Sequence, residues 1–324
     1  MQKYRVAVLR GGPSEEYDVS LATGAGVLAA LDRTKYEPID VTITKSGEWL
    51  LRGCAREPQE IVCAADVVFI ALHGAYGEDG QVQRTLDRLG IPYTGSKAFQ
   101  SAIAFNKSMT KDRLREHGVR MARHMLVGAS ARANTEGLAA SIAELFGPKY
   151  IVKPVASGSS IGTRIAENQG MLYAALRDGL EQYEQLLVEE FIEGKEATCG
   201  VIDNFRNERL YALPTIEIVP PRKAGYFSAD VKYTGETEEI CPGRFSYTEK
   251  QEIERVAKLV HETLELSGYS RSDFIVTPDG VYFLEVNTLP GLTPESLMPK
   301  ALGAVGCAYE QFIDHLIVEA LGHR

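Results

Sequence analysis

The sequence predicts an α/β protein that opens on a mainly parallel, Rossmann-like sheet. Residues 4–12 form a buried strand ending in Gly11-Gly12, and a polar turn, Pro13-Ser14-Glu15-Glu16, passes into a helical pattern at Leu21, Val27, Leu28 and Leu31. Further short apolar strands alternate with helical stretches, the order that a parallel sheet with helical crossovers requires. No internal repeat competes with that reading.

The elements follow in order. A second strand is expected at Ile39 to Thr44 and a third at Val67 to Leu72, then a helix from Gln81 to Leu89 and a short strand at Ile91 to Tyr93. The first domain closes near Ser96 to Gln100. Beyond it come a helix through Lys107, a strand at Met125 to Val127, a helix around Leu138 to Leu145 and the strand Tyr150 to Pro154. The segment Ser157-Gly158-Ser159-Ser160-Ile161-Gly162 then leads to Thr163 to Ala166, a glycine-rich hairpin able to offer backbone N–H groups to phosphate. Alone such a loop is a weak signal, and the pattern G-x-x-x-x-G-K-[ST] does not occur in the chain. Leu186 to Ile192 reads as a strand, and another runs through Val201. Pro220 to Phe245 is long, polar and aromatic, which marks a functional loop rather than a connector. The next helix has a capping box at Ser246 to Glu249 and an apolar stripe at Ile253, Val256, Ala257, Val260 and Leu264, with His261 expected at the surface.

The most informative stretch is Arg271 to Gly291. Pro278-Asp279-Gly280 suits a three-residue hairpin loop, which sets Thr277 opposite Val281. Counting back, Asp273 falls opposite Glu285 and Arg271 opposite Asn287, and period-two alternation puts Phe283 on the face of Glu285 and Asn287. Two carboxylates facing each other across a ladder repel unless a cation lies between them. Magnesium, a hard cation held by carboxylates, substrate phosphates and water, fits Asp273, Glu285 and the Asn287 amide. The bland alternative is a hairpin whose acids face water.

Composition narrows the class. At 324 residues, 44% hydrophobic and 24% charged, the chain has the make-up of a soluble globular protein of two or three domains, without a membrane-spanning apolar run or signal peptide. Its net charge of −9 argues against nucleic acid as the main partner. The five cysteines, Cys54, Cys63, Cys199, Cys241 and Cys307, are dispersed and lack C-x-x-C spacing, and they are expected as small core residues in a reducing cytoplasm. A nicotinamide-dependent dehydrogenase, which the Gly11-Gly12 start allows, lacks the G-x-G-x-x-G fingerprint.

Four segments in order, Gly11-Gly12 to Ser20, His73 to Gly80, Lys153 to Ser160 and Glu285 to Gly291, resemble the D-alanine–D-alanine ligases, which are ATP-grasp enzymes. The likeness runs from about Val6 to Leu316. It implies a three-domain ATP-grasp architecture: a substrate-binding α/β domain over residues 1–98, a central subdomain with the glycine-serine loop over 99–190, and a C-terminal subdomain with the metal site and lid loop over 191–324. It also implies ATP, two Mg2+ or Mn2+ ions, two D-alanine molecules per turnover, a homodimer, a cytoplasmic setting and a role in peptidoglycan synthesis. A rival within the same class joins D-alanine to D-serine or D-lactate instead.

Residue by residue, the resemblance makes Lys107 and Lys153 ATP-binding lysines, and Lys232 the lysine that reaches the transferring phosphate. Glu189, Glu190, Phe191 and Ile192 would face adenine, and Glu196 the ribose. Asp273, Glu285 and Asn287 would hold metal. Arg271 and the Gly291 N–H would stabilise the tetrahedral oxyanion. Glu16 would hold the first substrate's ammonium, and would join Ser159 and Tyr233 in locking the lids. His73 would line the first pocket, and Ser296 would bind the second carboxylate. On the residues alone, Glu16 reads as a helix-terminal acid, Ser296 as a helix cap, Tyr233 as a packed loop aromatic and Lys153 as a solvated strand end, and His73, after a buried strand, reads more readily as a satisfied core histidine than as a pocket residue. The chain departs from the family pattern at Ser228 to Val231, at Asn106 before the first lysine, and at Glu190-Phe191.

Overall fold

Val6, Ala7, Val8 and Leu9 are all fully buried, a run expected of a strand covered on both faces. In the computed structural model, which describes residues 3–158, 161–220 and 237–322, that strand is an inner member of the first of three sheets. Strands β1 (Tyr4–Gly11), β2 (Tyr36–Ile43), β3 (Trp49–Leu51), β4 (Cys54–Ala55) and β5 (Val67–Ile70) lie in the order β4-β3-β2-β1-β5. The β1 pairings with β2 and β5 are parallel. The outer pair, β3 and β4, is an antiparallel hairpin edge that the helix-strand alternation gives no sign of.

A four-stranded antiparallel sheet follows, built from β6 (His124–Gly128), β7 (Tyr150–Pro154), β8 (Arg164–Ala166) and β9 (Gln185–Glu190) in the order β6-β9-β7-β8. The third sheet comprises β10 (Lys195–Phe205), β11 (Glu208–Ala212), β12 (Ile216–Val219), β13 (Glu238–Ile240), β14 (Tyr269–Thr277) and β15 (Gly280–Asn287). Its path is β13-β12-β10-β14-β15, with β11 also on β10, and every pairing is antiparallel.

Several local expectations need correction. Ile91 to Tyr93 is not a strand but a single bridge from Tyr93 to Val68. The helix through Lys107 is two helices, Ala98–Phe105 and Lys107–Arg115, because Asn106 leaves the helical region and its side chain caps the second by accepting from Met109 N at 3.0 Å. Asn106 thus does the capping work open to an aspartate. The helix Gln169–Gln182, which no sequence expectation covers, packs through Leu172, Leu176 and Leu180 on the four-stranded sheet.

Burial corrects two more. His261 is 1% exposed rather than at the surface, since its stripe neighbour Val260 carries that face into the core. Cys199 and Cys307 are buried, whereas Cys54 and Cys63 are exposed, one in a hairpin edge strand and the other just past the short helix Pro58–Val62. One apolar core joins Val8 and Phe69 of the first sheet, and Leu72 just past β5, to Tyr269, Met298, Phe312 and Leu316 from the far end of the chain. Among the described residues no helix is long and apolar enough to cross a membrane.

Candidate active site

Asp273 does lie opposite Glu285, and Arg271 opposite Asn287, but by a different route from the one the sequence implies. The turn holds two residues, so Thr277 pairs with Gly280, whose φ of +135° suits glycine. Phe274 then pairs with Phe283, and Leu284 is the extra residue of a β-bulge. The tighter turn and the bulge cancel, restoring the register at Asp273. They also reverse Phe283: it packs with Phe274, Val276, Val281 and Val286 in the core, on the face away from Glu285 and Asn287.

The acidic pair is neutralised by side chains. Arg271 donates from Nε and Nη2 to the two oxygens of Asp273, both at 2.9 Å, while Thr198 Oγ1 donates to Asp273 Oδ1 at 2.6 Å. The Asn287 amide donates to Asp273 Oδ2 at 3.3 Å. Lys107 Nζ lies 3.3 Å from Glu285 Oε2 and donates to the Ser157 carbonyl at 2.6 Å. Burial alone would raise the Glu285 carboxyl, but Lys107 and Lys153 drive it down to about 2. Two carboxylates and an amide, with cations already drawn to their oxygens, are a donor set that fits Mg2+.

Lys153 stands on the same sheet face as Glu189, whose Oε2 its Nζ meets at 2.7 Å, and its charge is also felt by Glu285. Lys111, one helical turn beyond Lys107, approaches Glu189 Oε1 at 2.8 Å without hydrogen-bond alignment. The Glu189 side chain is therefore committed to two lysines, and its main chain runs between those of His124 and Ile151. Despite burial, the two lysines hold its carboxyl down at about 2. Glu190 accepts from the Arg123 N and Nε at 2.9 and 2.6 Å, and Lys149 Nζ sits 3.9 Å from the Phe191 ring centroid. Ile192 and Glu196, both half-buried, carry the chain from β9 into β10.

Beside this charged hairpin lies a cavity of about 650 Å³ lined by Glu16, His73, Glu78, Arg271, Gly291 and Ser296, among others. Glu16 takes the N-cap position of the helix Tyr17–Ala30 without a side-chain cap bond. Its Oε2 would lie 2.8 and 2.9 Å from a Cβ on Gly74 or Gly158, which sets the carboxylate close against both loops, and Gly74 with its φ of +68° also takes a backbone conformation that suits glycine. The Ser296 hydroxyl accepts from Thr293 N at 3.1 Å and does not cap the helix Leu297–Ala304. A Cβ on Gly291 would meet that hydroxyl at 2.8 Å, which places the two side by side.

His73 is 3% exposed and tied on both nitrogens, Nδ1 to the Leu289 carbonyl and Nε2 to Thr23 Oγ1, each at 2.8 Å. This is the satisfied core histidine, and it borders the cavity as well. Ser159, Lys232, Tyr233 and the Ser228 to Val231 departure lie outside the described residues. Sequence reasoning passes over Lys111, Thr198 and Glu78. The i+4 spacing from Lys107 gives away the first; the other two touch the site through bonds without a sequence signature.

A lysine-bearing antiparallel sheet and a carboxylate-bearing one, with a polar cavity between the latter and the parallel strands of the first sheet, have the layout of an ATP-dependent ligase of the ATP-grasp class. The family models agree: that for the D-ala D-ala ligase C-terminus matches residues 114–318, and that for the N-terminus matches residues 5–62 and 54–96. A D-alanine--D-alanine ligase of Syntrophobacter fumaroxidans is 37% identical over 321 residues, spanning 99% of this chain and 98% of that one. Among solved structures, the D-alanine--D-alanine ligase of Bacillus anthracis complexed with ATP superposes with a TM-score of 0.81 at 30% identity, covering 99% of this chain and 98% of that one. The VanG D-Ala:D-Ser ligase of Enterococcus faecalis reaches 0.86 at 28% identity, covering 98% and 100%. The chain belongs to the D-alanine–D-alanine ligase family, and it is an ATP-using ligase of peptidoglycan precursor synthesis.

Proposed function

We propose that the protein joins two D-alanine molecules at the expense of ATP, and that the residues gathered around the acidic hairpin carry the reaction. The observation that carries this is the meeting of Arg271 with Asp273 beside a cavity that also holds Glu16, Gly291 and Ser296, and of Lys107 with Glu285 in an adjoining cleft that shares Glu78 and Asn287 with it. In this reading Glu16 holds the first D-alanine by its ammonium, in a pocket bordered by His73. The carboxylate of that D-alanine attacks the γ-phosphorus of ATP, and ADP leaves. Lys107 and Lys153 grip the phosphates, and Lys232 joins them by family likeness. Glu189, Glu190, Phe191 and Ile192 form the edge that faces adenine, Glu189 acting through its hold on Lys153, while Glu196 receives the ribose hydroxyls.

Asp273, Glu285 and Asn287 would hold two Mg2+ or Mn2+ ions, which when bound neutralise the phosphate charge during transfer. In the second step the free amine of another D-alanine, its carboxylate on Ser296, attacks the acyl carbon. Arg271 and the Gly291 N–H stabilise the tetrahedral oxyanion, which collapses with loss of inorganic phosphate. Glu16, Ser159 and Tyr233 close the lids and keep water from the acyl phosphate. The same likeness extends to a homodimer working in the cytoplasm.

A fold shared with a D-Ala:D-Ser ligase leaves the second substrate to chemistry. Incubation with ATP, Mg2+ and a panel of amino and hydroxy acids tests it. D-alanine alone should support phosphate release with D-alanyl-D-alanine as the product. Phosphate release independent of D-alanine, or a preference for D-serine or D-lactate as acceptor, would overturn the assignment.

A further inference from the structure

Glu78 is 7% exposed and borders the cavity, yet its carboxylate is spent on backbone. Oε1 accepts from Gly74 N at 2.9 Å, within its own loop. Oε2 accepts from Thr288 N and Leu289 N, both at 3.1 Å, more than 200 residues away. Leu289 is held from its other side too, because its carbonyl meets His73 Nδ1 at 2.8 Å. The loop that follows β5 thus grips both polar groups of one residue, two positions before Gly291. That loop also abuts Glu16, through Gly74.

We propose that Glu78 is a positioning residue for the aminolysis step, fixing the Thr288–Gly291 wall and its oxyanion donor against the loop that frames the first substrate. The inference rests on the proposed ligase reaction. In the ionised carboxylate both oxygens accept: glutamine, like the protonated acid, would turn a donor toward either Gly74 N–H or the Thr288 and Leu289 N–H pair, and one side of the clasp would open. Phosphoryl transfer depends on the lysines and on the carboxylates of β14 and β15, which the clasp does not hold. Aminolysis depends on Gly291, which it does. Loosening the clasp therefore slows the second step more than the first, and acyl phosphate that waits too long is lost to water.

The test is Glu78→Gln and Glu78→Asp in the full chain, following phosphate and dipeptide together. Wild type should release one phosphate per dipeptide. E78Q should lower the rate of dipeptide formation by roughly 10- to 100-fold, raise KM for D-alanine, leave KM for ATP within about twofold, and release more than one phosphate per dipeptide. E78D, which keeps two acceptor oxygens on a shorter arm, should recover part of the rate and ratio, and it carries the test if E78Q does not fold. The ratio does not depend on how much enzyme is folded, so a merely structural role would not move it. A one-to-one ratio with unchanged KM values, at any kcat, overturns the proposal. Phosphate release by the wild type without D-alanine would instead sink the assigned reaction.

Discussion

Lys107 Nζ lies 3.3 Å from Glu285 Oε2, so a lysine assigned to phosphate closes an ion pair with a carboxylate assigned to metal. Without nucleotide the lysine and a divalent cation compete for the same oxygens. Lys107→Met should then tighten Mn2+ binding in the absence of ATP by roughly three- to tenfold, while raising KM for ATP by at least about tenfold. Mn2+ titration followed by electron paramagnetic resonance reads the first effect. Unchanged Mn2+ affinity would show that Lys107 does not compete.

Arg271 forks onto both oxygens of Asp273, a geometry that lysine cannot copy. Arg271→Lys should lower kcat by roughly 10²- to 10³-fold and change KM for ATP by less than about threefold, since the oxyanion arises only after phosphorylation. Steady-state kinetics with D-alanine and ATP varied separately would separate the two. Equal losses in both would remove Arg271 from the second step.

The pairing of Asp273 with Glu285 is legible in the sequence for a reason that is half right. Side-chain alternation and turn chemistry locate the hairpin, but a one-residue error at the turn is hidden by a bulge at Leu284 that propensity does not mark. The outcome differs by residue: the paired acids come out correctly, and Phe283 lands on the wrong face. The clasp of Glu78 on Thr288 and Leu289 is illegible for another reason. Its donors are main-chain N–H groups, identical at every non-proline residue. His261 fails more simply, because a polar residue beside an apolar stripe reads as exposed until its partners are known.

Glu78 should oppose Glu189 and Glu285 in the pH dependence of stability. Burial, with Glu16 nearby, raises the Glu78 carboxyl from 4.5 to about 7. The native state then binds more protons than the unfolded chain between those values, so this contribution is complete below pH 4.5 and is lost as pH rises through 7. Glu189 and Glu285 run the other way. Each carboxyl falls from 4.5 to about 2, so their contribution is present above pH 4.5 and is lost as pH drops towards 2. Thermal melts across pH 2 to 8 should climb to about pH 4.5 and then decline gently. In E78Q the decline should vanish while the acid limb stays, and a persisting decline would assign it to another group.

His261 binds Ser270 Oγ at 2.8 Å and Asp203 Oδ1 at 3.1 Å, and Asp203 Oδ2 in turn accepts from Gly268 N at 2.7 Å. The network anchors the start of β14, next to Arg271, in the core. His261→Ala removes one partner from each of two largely buried groups and leaves a cavity, which should cost about 2–4 kcal/mol. Urea unfolding should show a lower midpoint with an unchanged slope. KM for ATP and D-alanine should hold, and a change in either would give the network a part in the site.

Lys111 and Lys153 share the single carboxylate of Glu189 in a place where all three are nearly sealed from water. Burial lowers the Lys111 pKa, whereas for Lys153 the attraction of Glu189 and Glu285 outweighs burial and raises it. The cluster carries an excess positive charge that nucleotide phosphate would balance. Lys111→Met removes that excess and leaves Lys153 in a neutral pair, so the fold should be little harmed while KM for ATP rises by roughly tenfold. Glu189→Gln does the opposite. It strands two buried ammonium groups and should cost about 3–5 kcal/mol, because breaking one side of a buried pair leaves charge uncompensated. Combining the two changes should restore much of that loss, since a single lysine beside glutamine is easier to accommodate than two. A double-mutant cycle by urea unfolding measures the coupling, and strictly additive effects would mean that Lys111 and Glu189 do not act as one unit.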